Sequence, residues 1–97
     1  MRRRRARYRS KLRIITDILA VLVEEGGPVG PTRILYGANL SHERLVRYLA
    51  EMEEKGLIER LAGEEGRVRY AITNKGRRLL REMRRIEEFL QAFGLEI

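Results

Sequence analysis

The chain contains no cysteine and no tryptophan, one histidine, two prolines and only 6% aromatic residues. Without cysteine there is no disulfide scaffold, no thiolate zinc site and no thiol nucleophile. With His42 as the sole imidazole, histidine-rich metal centres and most catalytic triads are excluded as well. Carboxylates are plentiful, but they fall on helix faces expected to be exposed. They lack paired placement, an accompanying base or a glycine-rich phosphate loop, so no enzyme, metal or cofactor site is expected. Long apolar runs are also missing. The stretch 14–23 is interrupted by Asp17 and followed by Glu24 and Glu25, which makes it too short for a bilayer span and gives it no small-residue cleavage site. The expectation is a cytoplasmic chain without a membrane partner or an evident small-molecule substrate.

The first sixteen positions lack acidic residues altogether. The 97 residues, 43% of them hydrophobic, suffice for one core and not for two. The formal net charge of +7 points to an anionic partner, with nucleic acid first among candidates. That charge is unevenly placed. Of the 21 basic residues, Arg2, Arg3, Arg4, Arg5, Arg7, Arg9, Lys11 and Arg13 lie ahead of Asp17, leaving 13 basic against 14 acidic residues in the remainder. A body of net charge −1 thus carries a strongly basic leader. Residues 1–9, with only apolar Ala6 and Tyr8 between the arginines, are expected to form a disordered arm. The arm is either a solvated tail or a phosphate-binding extension, the latter because arginine forks pair bidentately with phosphate. Tyr8 either stacks on a base or covers the start of the first helix.

From Ser10 onward Leu12, Ile15, Ile18, Leu19 and Leu22 recur at helical spacing, and Gly26-Gly27 closes that helix. Pro28-Val29-Gly30-Pro31 is extended, with Pro31 placed to open a short helix over 32–36. Gly37-Ala38-Asn39 reads as a tight turn, Leu40 as an inward residue, and Ser41 as the N-cap of a third helix running from 42 to about 55. Gly56 is its left-handed C-cap. Two helices joined by a short glycine-bearing turn make a helix-turn-helix. Residues 57–62 and 67–73 read as strands around a tip at 63–66. Val68, Tyr70 and Ile72 alternate with Arg67, Arg69 and Ala71, giving one buried and one basic face. Thr73 caps a last helix reaching about residue 93. In it Leu79, Met83, Ile86, Leu90, Phe93 and Ile97 step by four and three, a heptad seam.

The fold class expected is mainly α (α+β): a winged helix-turn-helix over 10–76, with a long C-terminal helix over 77–97 that carries the heptad seam. The stretches Leu12-Arg-Ile-Ile-Thr-Asp-Ile-Leu19, Pro31-Thr-Arg-Ile-Leu-Tyr36, Asn39-Leu-Ser41, Tyr48-Leu49, Glu54-Lys-Gly-Leu-Ile58 and Tyr70-Ala-Ile-Thr-Asn-Lys-Gly76 resemble the ten-a family of small archaeal DNA-binding proteins. So does the ending from Ile86-Glu-Glu-Phe89 to Phe93-Gly-Leu95. The resemblance covers roughly residues 11–95. It implies binding of double-stranded DNA with little sequence preference, and dimerisation through the last helix as an antiparallel coiled coil. Two features depart from it: the arginine arm is an addition, and Glu64-Glu65 makes the wing tip acidic where a phosphate contact would call for a base.

In a helix-turn-helix the N-terminal part of the second helix enters the major groove, which nominates Ser41, His42, Glu43, Arg44, Val46 and Arg47. Arg47 is the strongest of these, able to fork onto guanine O6 and N7 or onto phosphate. His42 is either a base or phosphate contact or a solvated polar residue. Arg67 and Arg69 are candidates for gripping the backbone through the stem of the wing; Lys75, Arg77 and Arg78 rank below them. Leu80 and Phe89 are expected to anchor the last helix to the body, while its seam serves either a homodimer or an intramolecular core. The reading is a nucleoid-associated, homodimeric DNA-binding protein. Its alternatives are a sequence-specific repressor, a protein-interaction module and, more distantly, an RNA binder. One glutamine, two asparagines and many Arg and Glu residues suit a hot environment.

Overall fold

The computed structural model describes residues 9–96. Helices α1 (Lys11–Glu25), α2 (Pro31–Ala38) and α3 (His42–Glu54) are followed by strands β1 (Ile58–Ala62) and β2 (Val68–Ile72) and by helix α4 (Asn74–Gln91). The strands form an antiparallel hairpin pairing Ile58 with Ile72 and Ala62 with Val68. This is the winged helix-turn-helix order expected from the sequence.

Helix α1 starts where Ser10 takes extended geometry and its hydroxyl accepts from Arg13 N–H at 3.0 Å. It stops at Gly26, left-handed at φ 76°, whose N–H returns to the Val23 carbonyl. Its buried face is Ile14, Ile15, Ile18, Leu19, Val21 and Leu22, with Ile14, Ile18 and Leu19 wholly inaccessible. Each such side chain contributes about 1.5–3 kcal/mol by leaving water, so this helix is the centre of the core. Leu12, assigned to the same face by its spacing, is exposed.

Helix α2 is longer than the sequence suggests. Gly37 and Ala38 complete it, and the left-handed residue that ends it is Asn39 at φ 56°. Gly37 is there for packing: a Cβ at that position would lie 2.8 Å from Val21 Cγ2 on α1. Leu40 is buried, and its N–H bonds the Leu35 carbonyl at 3.0 Å. Thr73 caps α4 by accepting from Gly76 N–H at 3.0 Å and donates its own hydroxyl proton to the Gly56 carbonyl at 2.6 Å. Gly76 then crosses the Leu57 carbonyl so closely that any Cβ would overlap it. These contacts fix the angle at which α4 leaves the wing.

One pairing was not read from the sequence. Val29 exchanges both backbone hydrogen bonds with Tyr70, each 2.8 Å, and so acts as a one-residue third strand on the free edge of β2. The two prolines hold this linker extended, and Val29 is the residue in it that is buried. The start of α2 is thereby attached to the wing.

Along α4, Gly76, Leu80 and Met83 face the body and are buried. Two expectations for this helix need correction. Met83, placed in the heptad seam, is 3% exposed and already covered by its own chain, whereas Phe89, expected to anchor the helix, is 64% exposed. Helical rotation explains both: residues 76, 80 and 83 define the inward face, and residue 89 lies well off it. Ile97 lies outside the described residues.

Candidate nucleic-acid interface

Helix α3 rests on the core through Leu45, Leu49 and Met52. Its opposite side leaves Glu43, Arg47, Ala50 and Glu54 in solvent, with His42 and Val46 on one flank and Arg44 on the other. All six groove candidates, Ser41, His42, Glu43, Arg44, Val46 and Arg47, are exposed on this one element. Ser41 spends its hydroxyl on Arg44 N–H at 3.3 Å. The N–H groups of His42 and Glu43 precede the intrahelical ladder and remain available, as the positive end of the helix dipole, to an anion.

The two flanks of α3 are bounded by different parts of the chain. On the His42 side a cleft is lined by Pro31, Val46, Ala50, Glu53, Arg60 and Tyr70, so the hairpin closes that edge. Arg60 ties it by an ion pair to Glu53, Nε to Oε2 at 3.3 Å. On the Arg44 side the start of α1 approaches: Lys11 Nζ lies 2.6 Å from Glu51 Oε2, which also lies 3.3 Å from Lys55 Nζ. The bond to Lys11 holds the Glu51 carboxyl below its ordinary range and raises the Lys11 ammonium above its own.

Arg9 is placed differently from the expectation for the arm. Its guanidinium bonds Asp17 Oδ2 at 2.9 Å and the carbonyls of Ala38 and Asn39 at 2.8 Å each. Those carbonyls end α2, where a cation complements the unpaired oxygens and the dipole. Arg9 is therefore a fixed part of the domain and not a free phosphate ligand. It brings the chain to the turn that immediately precedes Ser41. Arg2, Arg3, Arg4, Arg5 and Arg7 lie outside the described residues.

Arg67 and Arg69 are exposed on the wing stem. They share a basic groove with Gly30, Pro31, Thr32 and Arg33, across from the first turn of α2. Arg33, absent from the sequence-derived candidates, pairs there with Glu25 at 2.7 Å. The only sequence signal for it was Pro31 at the first helical position, which marks a helix start but not its neighbour. The tip residues Glu64 and Glu65 are exposed, and Glu65 has φ 56°. The wing thus offers cations along its stem and carboxylates at its end.

Ion pairing separates the cations of the body. Arg33, Lys55, Arg60 and Arg85 have carboxylate partners. Among the described residues Arg44, Arg47, Arg67 and Arg69 have none within ion-pair distance, which is the arrangement expected of groups that meet an external anion. No group of acidic and histidine residues that could hold a metal occurs among the described residues, and no described helix is long and apolar enough to cross a membrane.

A winged helix-turn-helix family model matches residues 8–91, and the chain belongs to that family. Within it, the chain falls with the small archaeal DNA-binding proteins that its sequence resembles. The crystal structure of Sso10a-2, a DNA-binding protein from Sulfolobus solfataricus, is 30% identical, with 89% of this chain and 83% of that one covered at a TM-score of 0.72. Two transcription-related structures share the fold at lower identity. The regulator BldR from Sulfolobus solfataricus is 24% identical over 80% of this chain and 60% of its own, at a TM-score of 0.65. MepR from S. aureus in complex with DNA is 19% identical over 79% and 57%, at 0.66. No protein of curated function matches the chain.

Proposed function

We propose that this chain is a non-enzymatic, homodimeric protein that binds duplex DNA mainly by neutralising phosphates, with α3 in the major groove and the wing stem and arginine arm on the backbone. The observation that carries the reading is the grouping of Arg44, Arg47, Arg67 and Arg69, all without carboxylate partners among the described residues, around the exposed N-terminal half of α3. Arg9 and Lys11 bring the root of the arm to the flank of α3 opposite the hairpin. A duplex seated on α3 would meet the wing on one side and the arm on the other. On the second half of α3 Glu51 and Glu53 are taken up by Lys11, Lys55 and Arg60, while Glu54 has no cation within ion-pair distance among the described residues and disfavours phosphate there.

Dimerisation rests on α4. Ile86, Phe89, Phe93 and Leu95 are 46–65% exposed, and the rings of Phe89 and Phe93 pack in a tilted arrangement at 5.2 Å between centroids. A contiguous apolar strip of this kind on a small domain is a contact surface. A second copy places two recognition helices and two arms on one duplex.

Fluorescence anisotropy with a random-sequence duplex at low salt tests the reading: tight binding is expected, and absence of binding leaves the fold as a protein-interaction module. A second reading, sequence-specific repression, is favoured by the position of Arg47 on the outermost line of α3, where it can reach guanine. Arg47→Ala separates the two. A loss confined to one sequence indicates regulation, and a uniform small loss indicates nucleoid packaging.

A further inference from the structure

A second set of cations is left over once the groove-facing residues are assigned. Arg77, Arg78, Arg81 and Arg84 are exposed on α4 and have no carboxylate within ion-pair distance among the described residues, although α1, α2, the hairpin and α4 itself pair their cations elsewhere. Arg77, Arg81 and Arg84 follow at four and three residues, so they form one stripe rising about 10 Å along the helix. Together with Val23 and Leu80 they line an open groove between α4 and the end of α1. Its only carboxylate is Glu88, at the far end.

Two geometric relations decide what this stripe can meet. At 100° per residue it lies opposite the strip of Ile86, Phe89 and Phe93, so pairing α4 with a second copy leaves it in solvent. It also begins where Lys75 Nζ bonds the Lys55 carbonyl at 2.7 Å, at the C-terminal end of α3. Helix α3 has 13 residues and is about 20 Å long. The stripe therefore starts at the end of α3 away from its groove-facing first two turns. The cations are all arginine, whose planar fork suits phosphate oxygens and keeps its charge at any relevant pH.

We propose that the outer face of α4 is a second phosphate-backbone site, built from Arg77, Arg81 and Arg84, and that it takes a segment of duplex DNA other than the one on α3. The inference rests on the DNA-binding reading above. A repeating line of phosphates, one per about 3.4 Å along each strand, fits a linear stripe of three forks better than a single small anion would. Contacts of this kind carry no base sequence. The acceptor is any duplex, whether a distant part of the same molecule or a separate one.

The test is a capture assay with the full chain: one duplex is immobilised, protein is added to saturation, and retention of a second, labelled duplex is measured. The variant Arg77→Gln/Arg81→Gln/Arg84→Gln alters exposed residues, and an unchanged helical signal and melting temperature verify its fold. It is expected to bind the immobilised duplex within about threefold of the parent and to retain at least fivefold less labelled duplex. Replacing the same three residues by lysine should restore part of that capture. Repeating the comparison with Ile86→Ser/Phe89→Ser, which removes the apolar strip, isolates capture by single protomers. Equal capture by the parent and the glutamine variant, or no capture by the parent, overturns the proposal. Failure of the parent to bind even the immobilised duplex overturns the DNA-binding reading instead, and this proposal with it.

Discussion

Arg9 donates to the carboxylate of Asp17 at 2.9 Å while the same guanidinium closes the C-terminal end of α2 through Ala38 and Asn39. Arg9 is therefore part of the fold, while the five arginines ahead of it lie outside the described residues. The distinction predicts opposite phenotypes. Arg9→Ala should lower stability by about 1–2 kcal/mol through the lost charged hydrogen bonds, a fall of roughly 5–15 °C in melting temperature. Removal of residues 1–8 should leave the melting temperature within about 2 °C, since surface changes away from packing features move stability little. Thermal unfolding followed by circular dichroism reads both.

The difference also shows why this part of the chain was misjudged from sequence. Nothing local marks Arg9 apart from Arg7: its partners lie 8, 29 and 30 residues away. Periodicity and capping, which act over three or four residues, made the helices, Ser41, Gly56 and Thr73 legible. What escaped them was close approach. Gly37 read as a turn residue because glycine serves turns, yet its role is to admit Val21 of another helix. The pairing of Val29 with Tyr70, the exposure of Phe89 and the groove joining Arg33 to Arg67 and Arg69 are likewise set by how elements meet. The groove-facing residues of α3 were legible because one helix carries them all.

Among the described glycines, Gly76 makes the closest approach to another backbone segment, at Leu57. Gly76→Ala forces a methyl group into the Leu57 carbonyl, where neither backbone segment can yield without disturbing the cap on α4. The expected cost is about 2–3 kcal/mol or more, as for overpacking of a tight interior. Gly37→Ala meets only side-chain atoms of Val21 and should be milder. Chemical denaturation of the two variants side by side checks the order, with Gly76→Ala the less stable.

The pairing of Glu51 with Lys11 and Lys55 makes a pH-dependent contribution whose sign can be fixed. The Glu51 carboxyl is lowered on folding, chiefly by its bond to Lys11, so its stabilisation is present above the ordinary glutamate range and fades as pH falls through the lowered value. The Lys11 ammonium is raised, so its share is lost only as pH rises past the ordinary lysine range. Between these limits the pair is intact. Glu51→Gln should flatten the acid side of the stability profile and leave the DNA affinity near neutral pH unreduced, because it removes a negative charge beside the proposed interface. A steeper acid limb in the variant would contradict this account.

The exposed strip on α4 predicts association. Phe89→Glu or Phe93→Glu places a charge where a partner's apolar surface would be buried, and should shift sedimentation from dimer to monomer at micromolar concentration. Apparent DNA affinity should fall at least tenfold with it, because two linked sites bind one duplex more tightly than one. Met83→Ala, by contrast, should act on stability and not on association, since Met83 is buried against its own chain.

The central claim is that attraction to DNA is carried chiefly by arginines of the leader, while the folded body, of near-balanced charge, orients the contact. Binding to one duplex titrated against salt measures this directly. If each protomer neutralises about six phosphates, log affinity falls against log salt with a slope of about −5. The chain beginning at Arg9, which retains the α2 clamp, should give a slope shallower by about 3 or more with its fold unchanged. An identical slope from the two chains would contradict the claim and assign the phosphate contacts to the body alone.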